Sequence, residues 1–221
     1  MTLTVTDAEG AKGTSKTQIT IQNKAPSANA GADRIVNEDD VVNFNAGGST
    51  DTASDVNSLT YHWDFGDGTT GNGIIASHKY AEKGIYTTTL RVTDDDGESD
   101  VDDAVVTVTN VVPAANAGPD QTVREGQTVL FDGAGTTDTP TDKTILDYSW
   151  SFGGQGINPT YVWSDDGVKG VSLTATDNDA ASNADGMNVN VQNVAPSVGI
   201  NALAVSDTTS VNFTLRSAGE K

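Results

Sequence analysis

The chain repeats its own sequence, and any fold proposed for it has to accommodate that repetition. The segment Asn-Lys-Ala-Pro-Ser at residues 23–27 has counterparts at residues 110–114 and 193–197, which begin 87 and then 83 residues further on. Trp-Asp-Phe-Gly at residues 63–66 returns as Trp-Ser-Phe-Gly at residues 150–153, again after 87 residues. Self-similarity at a nearly fixed period indicates tandem modules of one fold.

The repeat boundaries divide the chain into two complete units flanked by two partial ones. The complete units are residues 23–109 and 110–192. Residues 1–22 align with the late part of a repeat, and residues 193–221 align with its opening. We therefore expect the chain to be cut from a longer array. Because an isolated hairpin is only marginally stable in water, we also expect residues 1–22 and 197–221 to be mobile unless they pack on a neighbour.

Short strand signals, separated by Gly, Asp and Asn, run through the first complete unit. Strands of this length and spacing, rich in Thr, Val and Tyr, are typical of an all-β sandwich. We predict that Trp63 and Trp150 pack in the cores of the two units. The predicted strands of the first unit are residues 34–36, 41–46, 59–65, 74–80, 85–93 and 101–109.

Charge and composition exclude several classes of partner. The chain has 12 Lys and Arg against 31 Asp and Glu, giving a net charge of −19. Such a surface repels nucleic acid and anionic lipid, and it favours cations or basic partners. There is no cysteine, so the chain can form neither disulfides nor a cysteine-based metal site. Nothing in it is long and apolar enough to span a membrane, so we expect no direct membrane insertion.

Several ordered motifs carry a family resemblance. They are Asn116-Ala-Gly-Pro-Asp-Gln-Thr-Val123, Gly47-Gly-Ser-Thr-Asp51, Trp63-Asp-Phe-Gly-Asp-Gly68, His78-Lys-Tyr80, Gly84-Ile-Tyr86 and Val92-Thr-Asp94. Together they resemble the PKD (polycystic kidney disease) repeat, which implies tandem immunoglobulin-like β-sandwiches of the kind found in cell-surface proteins and as accessory modules of secreted hydrolases. The second unit departs from the pattern, because Ser151, Gly154 and Tyr161 replace an Asp, an Asp and a His.

A catalytic interpretation is available but disfavoured. Asp64 and Asp67 could form a carboxylate pair of the glycosidase type. The alternative is a tight turn, in which each Asp caps its own backbone and Gly accepts a positive φ. The second unit lacks both carboxylates, so we predict no enzymatic activity. The only histidines, His62 and His78, are expected to serve packing or surface hydrogen bonding.

Calcium binding is predicted from topology. In an immunoglobulin-type sandwich the linker at residues 23–27, the loop at 48–57 and the loop at 94–100 meet at one end, and calcium takes 6–8 oxygen ligands. The resemblance adds that some members of the family bind calcium near this end. The alternative is that the loops splay and salt screens their charges. The predicted ligands are Asn23, Asp51, Asp55, Asp94 and Asp96 in the first unit, and Asn110, Asp138, Asp142, Asp177 and Asp179 in the second.

Two functions fit this sequence. The first is an extracellular or cell-surface array, such as a surface-layer, filament or adhesive component, stiffened by calcium where one module follows the next. Its partners would be neighbouring modules or copies of the array, or surface glycans and proteins, and not nucleic acid. The second is an accessory substrate-binding module of a secreted hydrolase. Exposed aromatic rows would favour the second, but aromatic residues make up only 6% of the chain.

Overall fold

The computed structural model describes residues 1–197, where the regular structure consists of β-strands and one short 3-10 helix, Asp142–Thr144. Within this range no helix has the length and apolar character needed to cross a membrane. At the start of the chain, β1 (Thr2–Thr6) and β2 (Lys12–Lys16) form an antiparallel hairpin. The mobility predicted for residues 198–221 concerns a segment outside the described residues.

The first module is the β-sandwich formed by residues 23–109. Its larger sheet has the strand order β3-β9-β8-β5-β6, with β3 parallel to β9 and the other neighbours antiparallel. β4 and β7 pair antiparallel to form the second sheet. Its strands are β3 (Arg34–Asn37), β4 (Val41–Asn45), β5 (Thr60–Asp64), β6 (Thr70–Asn72), β7 (Ile75–Lys79), β8 (Gly84–Thr93) and β9 (Ser99–Thr109).

The second module, formed by the residues from 110 onward, repeats this arrangement. Its larger sheet has the order β10-β15-β14-β12, again with a parallel first pair, and β11 pairs with β13. The position of β6 is taken by a single bridge between Ser149 and Gln155. Its strands are β10 (Gln121–Arg124), β11 (Thr128–Leu130), β12 (Asp147–Trp150), β13 (Thr160–Val162), β14 (Gly167–Thr176) and β15 (Ser182–Gln192).

Each module has its own hydrophobic core around one tryptophan, as predicted. Trp63 is 0% exposed and lies 5.3 Å from Phe44, measured between ring centroids. Trp150 is 2% exposed and lies 5.1 Å from Phe131. Each indole N–H donates a 3.0 Å hydrogen bond to a glycine carbonyl, so the polar end of the buried ring is satisfied. The all-β, tandem immunoglobulin-like fold is confirmed.

The predicted strands of the first module are all present, and their ends differ from the prediction by at most two residues. Strand β6 was not predicted. Its sequence, Thr-Gly-Asn, has no apolar alternation, and it pairs only with β5 at the edge of the sheet. The two-residue periodicity that indicates a half-buried strand is therefore missing there.

The direction of β9 determines where the second module attaches. This strand begins next to the loop at residues 94–98 and has 11 residues, a length of roughly 36 Å at ~3.3 Å per residue. It ends at Thr109, so the chain leaves the first module at the opposite end of the sandwich. The entry of the second module consequently lies against that opposite end.

Candidate metal centre at the module junction

In each module the linker that enters it meets one loop at one end of the sandwich, which we call the pole. The loop joins β4 to β5 in the first module and β11 to β12 in the second. In the first module the backbones of Ser27 and Thr50 exchange two hydrogen bonds, of 2.8 and 3.0 Å. In the second module Ala114 and Thr137 do the same at 2.8 and 3.1 Å. Two of the three predicted segments are thus joined by the backbone itself.

An asparagine side chain joins the third segment to the linker. Asn23 Nδ2 donates to Asp94 Oδ2 at 2.7 Å, and Asn110 Nδ2 donates to Asp177 Oδ2 at 2.9 Å. The hydrogen bond from Asn23, helped by backbone amides of the same loop, lowers the pKa of Asp94. The predicted convergence of three segments is therefore present in both modules, although the ion itself stays a prediction.

Buried oxygen atoms without hydrogen-bond partners collect at the pole of the second module. Asp142 is 0% exposed, and neither of its carboxylate oxygens has a partner among the described residues. Leaving a buried polar atom unpaired costs roughly 1–3 kcal/mol, and more when the group is charged. Further unpartnered oxygens at this pole are Asn110 Oδ1, Asp138 Oδ2 and Asp179 Oδ2.

Backbone amides hold the other carboxylate oxygens in place. Asp138 Oδ1 accepts a 2.8 Å hydrogen bond from the Thr139 amide, and Asp177 Oδ1 accepts one of 2.8 Å from the Ala181 amide. The short helix that begins at Asp142 positions its side chain below the surface. These bonds fix the orientation of each carboxylate while Asp138 keeps its second oxygen free for a ligand.

The far end of the first module covers this pole. Glu38, in the turn between β3 and β4, accepts a 2.7 Å hydrogen bond from the Val111 amide through Oε1. The next residue, Asp39, accepts one of 3.0 Å from the Thr141 amide. A second turn contributes Lys83, whose Nζ lies 3.1 Å from an oxygen of Asp179, and Glu82, which accepts a 2.9 Å bond from Asn178.

The negative charges gathered at the junction repel one another. Burial, reinforced by the negative charges of Asp142 and Asp179, raises the pKa of Glu38 to about 7. Burial also raises the pKa of Asp138, with contributions from the charges of Asp142 and Asp177. Like charges ~5 Å apart repel by about 3 kcal/mol at an effective dielectric constant near 20. A divalent cation among these carboxylates would reverse the sign of their interaction.

The pole of the first module is less crowded. Asp51 Oδ2 is buried without a partner, but Asp55, the counterpart of Asp142, accepts a 2.6 Å hydrogen bond from the Thr52 hydroxyl. The side chain of Asp96 is exposed, and only its backbone amide reaches Asp94. Within residues 1–22 the hairpin makes its hydrogen bonds internally and adds nothing to this pole.

A cation at the second pole has to be held by mixed oxygen ligands. In residues 1–197 no three or more His, Cys, Asp or Glu side chains are already grouped so that they could hold a metal ion. The candidate ligands are the Asn110 amide oxygen and the carboxylates of Asp138, Asp142 and Asp179, which would have to close on the ion. Calcium accepts such a flexible set, since it takes carboxylate, amide, carbonyl and water oxygens together.

The Trp-Asp-Phe-Gly-Asp-Gly segment is a structural turn. Asp64 Oδ1 accepts a 2.9 Å hydrogen bond from the Gly66 amide, and Asp67 Oδ1 accepts one of 2.9 Å from the Thr69 amide. The second oxygen of Asp67 lies 2.6 Å from His78 Nε2. Both carboxylates cap the chain next to them, as the turn interpretation predicts, and both are occupied by these bonds.

Replacing Asp67 by Asn is expected to lower the melting temperature of the first module. Burial would raise the pKa of Asp67, but hydrogen bonds from Thr69 and His78 outweigh it and hold the pKa below its usual 3.8. An acid whose pKa falls on folding adds stability above its unfolded pKa, and that stability is lost as the pH falls through the folded pKa. We expect a loss of about 0.5–1 kcal/mol at neutral pH, allowing for solvent screening.

The measurement is thermal unfolding of wild type and Asp67→Asn at several pH values. The difference between the two proteins should shrink as the pH falls below 3.8 and through the lowered folded-state pKa, because the carboxylate then becomes protonated in both states. The second module is an internal control because Gly154 replaces this aspartate there. A difference that stays constant from pH 2 to pH 7 would contradict an electrostatic role for Asp67.

Comparison with known families decides the identity of the modules. Residues 23–109 and 110–191 each match the PKD domain. The chain belongs to the PKD domain family. Its two PKD modules account for most of the described residues, so the resemblance seen in the sequence motifs is confirmed.

The relatives of these PKD modules include bacterial proteases. The pre-pro-metalloprotease PrtV of Vibrio cholerae is 34% identical over 106 residues, which is 47% of this chain and 11% of the relative. The collagenase ColA of Clostridium perfringens is 39% identical over 75 residues, or 34% of this chain and 7% of the relative. A crystal structure of the PKD1 domain of Vibrio anguillarum Epp is 31% identical, covering 39% of this chain and 96% of that structure, with a TM-score of 0.33.

The chain spans about a tenth or less of the length of these two enzymes. The matching regions are their PKD modules, which are not catalytic, so the likeness does not extend to their catalytic domains. Modules of this family therefore occur in enzymes without supplying the chemistry.

Sequence reasoning missed the residues that the first module contributes to this junction, and Glu38 is the most deeply buried of them. The glutamate recurs at the same repeat position as Glu125, in the sequence Val-Asn-Glu-Asp of the first PKD module and Val-Arg-Glu-Gly of the second. That recurrence is a usable signal. The sequence prediction did not include Glu38 because it considered only the loops of a single module, whereas Glu38 belongs to the preceding module.

Proposed function

We propose that the two PKD modules form an extracellular spacer whose junction is stiffened by calcium at the pole of the second module. The observation that carries this proposal is Asp142, which is wholly buried with both carboxylate oxygens unpartnered, next to other unpartnered oxygens. A buried unpaired charge is unfavourable unless an ion or a proton neutralises it. A calcium ion supplies that neutralisation and needs the ligand types found here.

The position of the ion explains the mechanical role. Only Asn110 and the short, apolar segment Val111-Val112-Pro113 separate the last strand of the first module from the body of the second. Interfaces between small domains are usually limited, so relative motion is the default expectation. An ion at this junction would lock the linker, the pole of the second module and the turn that covers it into one arrangement.

The extracellular location rests on the relatives and on the composition. Related PKD modules occur in secreted bacterial proteases and collagenases, and 75 residues of this chain are 39% identical to the collagenase ColA. Free calcium outside cells is abundant enough to fill extracellular sites of only 10⁻⁴–10⁻³ M affinity. A net charge of −19 and the lack of cysteine suit a protein that relies on ions in place of disulfides.

A second candidate function is an accessory module of a secreted hydrolase that positions the enzyme on its substrate. The metalloprotease and collagenase relatives favour it. The surface does not favour binding of glycans by aromatic stacking: among large exposed apolar side chains in residues 1–197, Tyr161 is the only aromatic, at 38% exposure. Co-sedimentation with insoluble collagen would support this candidate, and sedimentation no greater than that of an unrelated acidic protein would remove it.

The spacer proposal is tested by measuring the distance between the modules. Because the chain has no cysteine, spin labels can be placed at Thr60→Cys and Gln155→Cys, two exposed positions in different modules. We expect a narrow distance distribution with calcium and a broad one after chelation. A control pair within the first module, Thr60→Cys and Lys79→Cys, should not respond. An unchanged distribution, together with no heat of calcium binding, would refute the proposal.

A further inference from the structure

Glu38 occupies a position that its local role does not explain. Its Oε1 accepts the Val111 amide at 2.7 Å, which accounts for one oxygen. The side chain is 2% exposed, and the other oxygen, Oε2, is buried without a partner. Around it lie the carboxylates of Asp142 and Asp179, both of which belong to the second module. A carboxylate from one module is thus buried beside carboxylates of the next that carry unpartnered oxygens, both oxygens of Asp142 and Oδ2 of Asp179.

We propose that Glu38 is a ligand of the calcium ion at the pole of the second module, so that the site is shared between the two modules. This inference rests on the proposed function and extends it, because the predicted ligand set came from one module alone. Oε2 is the atom placed to reach the ion, while Oε1 stays bound to the linker.

The alternative is a protonated Glu38 that donates to a neighbouring carboxylate. A proton would satisfy Oε2 of Glu38 and one oxygen of Asp142. It would leave the other oxygen of Asp142, Oδ2 of Asp138 and Oδ2 of Asp179 without hydrogen-bond partners. A calcium ion can take several of these oxygens at once, since it accepts 6–8 ligands. The number of oxygens without hydrogen-bond partners therefore favours a bound calcium ion over a proton on Glu38.

The turn that carries Glu38 is fixed rigidly to the first module. The Glu38 amide donates to the Thr109 carbonyl at 3.0 Å, and the Asp39 amide donates to the Tyr80 carbonyl at 2.8 Å. Asp39 has a φ of 61°, a left-handed conformation that closes the turn tightly. An ion bound to Glu38 would consequently be tied to the body of the first module, which a ligand on a free loop could not achieve.

A cleft leads into this junction from solvent. It has a volume of about 400 Å³ and is lined by residues of both modules, with Glu38 and Asp40 on one side and Asp138 and Thr139 on the other. The cleft gives ions and water access to Glu38 and Asp138, whereas Asp142 and Asp179 do not line it. Calcium commonly keeps water among its ligands, so an open approach suits it.

Glu125 provides a matched control within the same chain. It occupies the same position in the second module, and its Oε1 accepts the Val194 amide at 2.9 Å, as Glu38 does with Val111. Glu125 is only half-buried. The amide bond is therefore a property of this turn in both modules, and among the described residues the neighbouring carboxylates of Asp142 and Asp179 distinguish Glu38 from Glu125.

The experiment compares calcium titration calorimetry and amide NMR shifts of the full chain as wild type, Glu38→Gln and Glu125→Gln. Glutamine keeps an oxygen for the linker amide but loses the charge. We expect Glu38→Gln to weaken binding at the second pole roughly 10-fold or more, followed through the amides of Asn110 and Ala181. Glu125→Gln should leave binding at this pole within about 2-fold of wild type.

The inter-module distance gives an independent readout. At a calcium concentration that narrows the distribution in the wild type, Glu38→Gln should leave it broad. Equal affinity of Glu38→Gln and wild type would overturn the shared site while leaving a calcium site within the second module intact. A wild-type chain that binds no calcium would overturn the proposed function as well, so the two failures are distinguishable.

Discussion

Asp142→Asn is expected to stabilise the second PKD module in calcium-free buffer and to abolish its stabilisation by calcium. Without the ion, the wild type buries a carboxylate whose two oxygens have no partner. Removing that charge should raise stability by on the order of 1–3 kcal/mol, because the cost of desolvation and of repulsion disappears. For a domain of this size each kcal/mol shifts the melting temperature by about 4–8 °C.

Calcium should reverse the order of the two proteins. At a free concentration about 1,000 times the dissociation constant, binding stabilises the wild type by about 4.1 kcal/mol, which exceeds the advantage of the variant in calcium-free buffer. The asparagine variant lacks a charged ligand and should gain far less. Thermal unfolding of both proteins, with calcium and with chelator, measures the stability difference between them in each condition. A change of sign between the two conditions is hard to obtain from a residue that only packs in the fold.

Asp55→Asn is the matched control, because Asp55 occupies the same repeat position in the first module. Its carboxylate accepts a 2.6 Å hydrogen bond from Thr52, so the substitution weakens a bond that already exists. We expect it to destabilise the first module slightly, by about 0.5–1.5 kcal/mol, in calcium-free buffer. If Asp142→Asn also destabilised its module in chelator, the buried carboxylate would have a structural role and the cation proposal would fail.

The fold was predictable because its pattern is local. In β4 the side chains alternate between exposed and buried, with Val42 and Phe44 directed into the core. Alternation of this kind identifies a half-buried strand from a few residues, and the repeat then transfers it to the second module. Strand β6 was not predicted because a polar edge strand of three residues is stabilised by pairing with its neighbour. Its sequence has no alternation of apolar and polar side chains.

The candidate site was predictable only in part. Loops at one end of a sandwich follow from strand order, which is how Asn110, Asp142 and Asp177 could be placed together. Two features could not be read from that argument. Asp142 and its counterpart Asp55 differ in burial although they share a repeat position, and Glu38 enters from another module. Both depend on how one module covers the next, and strand patterns within a module carry no such information.

Replacing the core tryptophans should show whether the two modules depend on each other. Trp63 and Trp150 fill separate hydrophobic clusters, and each is almost wholly buried. Substitution of such a side chain by alanine costs about 3–5 kcal/mol, a large part of the ~5–15 kcal/mol that stabilises a typical domain. We expect Trp63→Ala to lower the melting transition of the first module by about 15 °C or more, and Trp150→Ala to do the same to the second.

The calcium response should separate these two variants. Because Glu38 belongs to the first module, Trp63→Ala should reduce the stabilisation of the second module by calcium at any temperature where the first module is unfolded. Trp150→Ala has no such effect on the first pole, because the five ligands predicted for that pole all lie in the first module. Calcium should therefore act on the first module equally in Trp150→Ala and wild type. Thermal unfolding with and without calcium measures both effects. A second module whose calcium response survives unfolding of the first would show that its site is complete without Glu38.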